Sequence, residues 1–71
     1  MKLPFKGMLI GSESEVVSNP LSGKSTTLTP EAVAVYDVLR GAQMMSMYSD
    51  VRKGLDWFRQ YYPAEYMVLL D

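Results

Sequence analysis

Seventy-one residues with 48% hydrophobic and 21% charged content allow one folded domain at most and are too apolar for intrinsic disorder. No cysteine or histidine is present, which excludes disulfide staples, thiolate zinc sites, Ser-His-Asp and Cys-His nucleophiles and imidazole bases. Seven Lys and Arg against eight Asp and Glu leave a net charge of −1, so a nucleic-acid binder held mainly through phosphates is not expected.

A core this small is thin. Domains near 60 residues bury only about 60% of their unfolded surface, and such a core rarely supplies more than about 3–5 kcal/mol. Support must come from a partner or a second copy, or from an unusually well-packed interior. The eight aromatic residues bring large buried area per side chain. Met8-Leu9-Ile10 is far shorter than a signal-peptide core, and no run approaches the roughly 20 apolar residues of a membrane span. A soluble intracellular chain is the expectation, with no membrane association.

Residues 1–13 read as an N-terminal arm and residues 14–71 as a single small domain. In the arm, Lys6 to Ile10 reads as a short extended segment ended by Gly11-Ser12. Residues 14–28 read as a β-hairpin. Glu15-Val16-Val17 and Ser25-Thr26-Thr27-Leu28 supply β-branched flanks, and Ser18-Asn19-Pro20-Leu21-Ser22-Gly23 supplies turn chemistry. Composition then shifts from Ser, Thr, Gly and Pro to Val, Leu, Met and aromatics.

Thr29-Pro30-Glu31 is a helix start: Thr caps, Pro fits the first turn, and Glu31 complements the dipole. Ala32 stands where a reciprocal capping box would place Glu or Gln. Helix one is expected over about 30–47, with Val35, Leu39, Ala42 and Met45 as its core stripe. Gly41 either lets another backbone come close or is a tolerated weak point. Tyr48-Ser49-Asp50 reads as a break, with Ser49 or Asp50 capping helix two over about 50–62. Its stripe is Val51, Leu55, Phe58 and Tyr62. Pro63 ends that helix and opens a third, 63–70, whose Tyr66, Leu69 and Leu70 close the core. The expected fold is α+β, a small N-terminal β-hairpin packed on a two- to three-helix unit.

Catalytic signals are weak. Gly23-Lys24-Ser25-Thr26 matches the tail of a P-loop, but Ser18 replaces its first Gly and the following residues read as strand. Asp50 and Asp56 do not share a helix face well, and Glu13 and Glu15 lie on a polar segment; no calcium-loop run exists. No catalytic residue, cofactor or metal is expected. Leu55 to Pro63 looks like the second helix of a tetratricopeptide unit, but no second copy accompanies it.

The run Met44-Met45-Ser46-Met47-Tyr48 is the most unusual. Met44, Met47 and Tyr48 fall off the core stripe, and Gly54, Trp57 and Tyr61 form a second apolar line on helix two. Methionine and aromatic side chains suit adaptable binding surfaces. Met44, Met47, Tyr48, Trp57 and Tyr61 are therefore the candidate contact face, with Arg52, Lys53 and Arg59 as its polar rim. The alternative is that helix three and the hairpin cover all of it.

Asn19-Pro20-Leu21-Ser22-Gly23, Leu28-Thr29-Pro30-Glu31, Val35-Tyr36-Asp37, Gly41 to Met45, Lys53-Gly54-Leu55-Asp56-Trp57-Phe58 and Tyr66-Met67 carry a resemblance. Over these stretches the chain resembles small uncharacterised proteins encoded by tailed bacteriophages, from Asn19 to Asp71. The resemblance implies a phage setting, in the host cytoplasm or the virion, and no catalytic residues. The expected function is a non-enzymatic protein-binding module, a phage accessory protein acting on a host protein as inhibitor or adaptor. The alternative is a capsid or tail accessory subunit whose N-terminal arm, residues 1–18, orders against neighbours. Expected partners are a protein or a second copy, with no nucleic acid.

Overall fold

The computed structural model describes residues 2–70; Met1 of the expected arm and Asp71 at the end of the expected domain lie outside them. The chain runs β1 (Glu15–Ser18), β2 (Ser25–Leu28), α1 (Pro30–Met44), α2 (Tyr48–Tyr61) and α3 (Pro63–Leu69). This is the small α+β arrangement expected, a hairpin followed by three helices.

β1 and β2 pair antiparallel, Glu15 opposite Leu28 and Ser18 opposite Ser25. Strand alternation puts Val17, Thr26 and Leu28 on the inner face, and Leu28 is fully buried. Asn19 builds the turn. Its Oδ1 accepts from the Leu21 N–H at 2.9 Å, and its Nδ2 donates to the Val68 carbonyl at 3.1 Å, tying the turn to α3. Gly23 has φ 76, a conformation that glycine adopts without strain. The phosphate-loop letters thus form a hairpin turn and the start of β2.

Thr29 caps α1 as its sequence implies. Its Oγ1 accepts from the Ala32 N–H at 3.3 Å, and shares a 2.8 Å hydrogen bond with the Tyr62 hydroxyl. One oxygen therefore serves the start of α1 and the end of α2. Leu28, Ala32, Val35, Leu39 and Phe58 have no solvent exposure, with Tyr36, Trp57 and Leu69 closing the same core.

The two apolar lines of α2 are one face. At 100° per residue, Val51, Leu55, Phe58 and Tyr62 adjoin Gly54, Trp57 and Tyr61 in an arc of about 160°. Trp57 and Phe58 meet edge to face at 5.2 Å, and Trp57 also lies 5.2 Å from Tyr62. Trp57 is only 4% exposed, so its expected place on an open contact face is corrected. Part of what covers this face comes from the head of the chain. Leu3, Phe5 and Met8 pack half-buried against the core, and Trp57 Nε1 donates to the Lys2 carbonyl at 2.9 Å. The segment expected as an arm lies back on its own domain.

The close approach of α1 and α2 is at Gly54, not at Gly41. A Cβ at Gly54 would sit 3.0 Å from Leu39 Cδ1 and 3.3 Å from its Cβ, whereas one at Gly41 would meet nothing within 4 Å. Gly41→Ala should therefore stabilise the fold by about 0.5–1 kcal/mol through helix propensity alone. Gly54→Ala gains the same propensity but overpacks a buried Leu, at a cost of about 1–3 kcal/mol. Urea titrations should place the Gly54→Ala midpoint below that of Gly41→Ala; the reverse order would show that the helices separate freely.

Candidate functional site

The site is the corner where α1 passes into α2. Helix one was expected to reach Met47, and it ends at Met44. Helix two was expected to begin at Asp50 after a break, and it begins at Tyr48, so the expected break lies inside its first turn. The reason is a backbone cap. The Met47 N–H bonds the Ala42 carbonyl at 2.9 Å and the Ser46 N–H bonds that of Gln43 at 3.3 Å, with Ser46 at φ 57 between them. This is the Schellman pattern, in which a left-handed residue stops a helix and satisfies its last carbonyls. Met47 then serves as the N-cap of α2, with no side-chain hydrogen bond. Its carbonyl accepts the Asp50 and Val51 N–H groups, each at 3.1 Å.

Ending α1 early takes Met45 out of the core stripe. It was expected to be buried, and it is 73% exposed. Met44 and Tyr48 are exposed to similar degrees, and Met47 is 46% exposed. The corner therefore presents four apolar side chains within five successive residues. Scattered exposed apolar residues are ordinary, as with Leu21 at the hairpin tip. A contiguous group is not.

The expected face divides between corner and core. Met44, Met47 and Tyr48 are exposed at the helix junction, as is Met45. Trp57 is buried, and Tyr61 is half-buried against the core, 5.7 Å from the Trp57 ring. Arg52 and Lys53 border the corner with Tyr48, Ser49 and Asp56, around a shallow cleft of about 450 Å³. Arg59 is not part of that rim. It pairs with Asp56 at 3.5 Å and stands 5.3 Å from the Tyr66 ring centre, toward α3. Arg40, one turn before Met44, is exposed and lies 5.9 Å from the Tyr36 ring centre.

Among the described residues no group of three or more acidic side chains is placed to hold a metal ion, and no helix is long and apolar enough to cross a membrane. No family model, curated protein or solved structure matches the chain.

Ser46 makes the corner at a conformational cost, because a Cβ in the left-handed region crowds the following carbonyl. Ser46→Gly should raise stability by about 1 kcal/mol in a urea titration, with the helical circular dichroism unchanged. A loss of stability would mean that the Ser46 side chain, not the backbone cap, holds the turn.

Proposed function

We propose that this chain is a non-enzymatic binding module that docks another protein through the Met44-Met45-Met47-Tyr48 corner. The carrying observation is the exposure of these four adjacent apolar side chains on a domain whose core closes without them. Methionine suits the task because its unbranched, polarizable side chain adapts to a partner's surface. Tyr48 adds a rigid aromatic anchor with a polar tip. Arg52 and Lys53 stand there together with Asp50 and Asp56, so the surroundings carry mixed charge and the apolar side chains set the fit to the partner.

The resemblance over Asn19 to Asp71 supports a phage setting for this activity, with a host protein as target and inhibition or adaptation as outcome.

A photo-crosslinking residue placed at Tyr48, and separately at the more exposed Leu21, tests the reading in intact chain mixed with host extract. Adducts to a discrete host protein should form from position 48 and not from 21, and Met44→Ser/Met47→Ser should remove them. The same double variant should shift unfolding free energy by no more than about 0.5 kcal/mol, as expected for exposed positions. Identical adducts from both positions, or adducts only between copies of the chain, would end the proposal.

A further inference from the structure

The N-terminal segment is bound in a manner unlike the rest of the fold. Among the described residues, no backbone–backbone hydrogen bond outside the helices and strands involves residues 2–14. The one hydrogen bond that holds this stretch runs from Trp57 Nε1 to the Lys2 carbonyl at 2.9 Å. Leu3, Phe5 and Met8 supply half-buried apolar contacts. Beyond them, residues 9–14 are all exposed and include Gly11, and Gly7 has φ 73. The stretch thus starts on α2 with residues 2–4, bends through residues 4–7, and reaches β1 by an exposed linker.

The surface beneath it has the features of a peptide groove. Trp57 and Tyr61 form an aromatic floor, Lys53, Asp56 and Gln60 provide polar walls, and a cleft of about 340 Å³ remains beside Leu3 and Pro4. The Trp57 indole reads a main-chain carbonyl, which any peptide offers; the apolar side chains set the fit. A contact of one hydrogen bond and four half-buried residues, Leu3, Pro4, Phe5 and Met8, belongs to the low end of local opening free energies.

We propose that the face of α2 carrying Trp57 and Tyr61 is a groove for a short, bent apolar peptide, and that residues 2–8 are its resident, releasable occupant. Release exposes Trp57 while α1, α2 and the hairpin keep their core. This does not depend on the corner's methionines, which do not line the groove although Lys53 and Asp56 border both clefts, and either reading can fail alone.

The test uses the intact chain, whose single tryptophan reports on the groove. In native-state hydrogen exchange, the Trp57 indole N–H should exchange at least ~10-fold faster than the slowest α1 amides, because it opens with the strap and not with global unfolding. Leu3→Ser/Phe5→Ser should raise acrylamide quenching of Trp57 several-fold with helical circular dichroism retained. Excess synthetic peptide of residues 2–10 should then reverse that rise. Exchange of the indole N–H only at the global unfolding rate overturns the proposal. So does unchanged quenching, loss of helix in the double variant, or a peptide that does not restore protection.

Discussion

The separation of α1 and α2 is set where Leu39 lies over Gly54. An ordinary side chain at position 54 would stand 3.0–3.3 Å from Leu39 atoms, so the helices come this close only because no Cβ intervenes. That approach brings Phe58 against Tyr36, rings 6.4 Å apart and near perpendicular, an arrangement that the ring quadrupoles favour. It also carries Tyr62 to Thr29, where one hydroxyl hydrogen bond joins the end of α2 to the start of α1. The hairpin then closes the remaining side through Leu28, and Asn19 locks its turn to α3. Among the described residues no buried side-chain polar atom lacks a partner, so the core is small but fully satisfied.

What the sequence made legible was punctuation. Thr29-Pro30-Glu31, the turn from Asn19 to Gly23, and Pro63 each act through their own backbone or a near neighbour, and each forms what its chemistry implies. The end of α1 was not legible because the residue in the left-handed cap is Ser46. A Gly or Asn there would have marked the stop. Extending the helix by one turn then placed Met45 in a stripe that no longer exists at that position. Gly41 drew attention because it precedes Ala42 on the stripe, but its own direction faces solvent, and the close approach fell to Gly54.

Trp57 was misplaced for a different reason. Two apolar lines on a helix exceed what one neighbouring helix can cover, and that argument is sound. The surplus line is met partly by residues 2–8, 55 positions away from Trp57 at the hydrogen bond. Neither periodicity nor spacing connects Lys2 with Trp57. The same surplus of apolar surface on α1 and its corner, at Met44 and Met45, finds no cover. One inference about excess apolar surface thus divides into an internal contact and an open one.

That division bears on why the corner is apolar at all. A domain of this length was expected to need either a partner or second copy, or an unusually well-packed interior, and an exposed methionine group could have been the place where a partner supplied support. The structure instead draws support from its own chain, through the strap on α2, the shared Thr29–Tyr62 hydrogen bond and the aromatic cluster of Trp57, Phe58 and Tyr62. Serine or lysine at positions 44 and 45 would serve the Schellman turn equally well, because the hydrogen bonds of that turn are made by backbone groups alone. Packing therefore gives no reason for methionine at positions 44 and 45, whereas Met47, about half covered, stands where the motif favours an apolar side chain. The exposed apolar side chains there, with Arg52 and Lys53 nearby, are the surface at which we propose a partner docks.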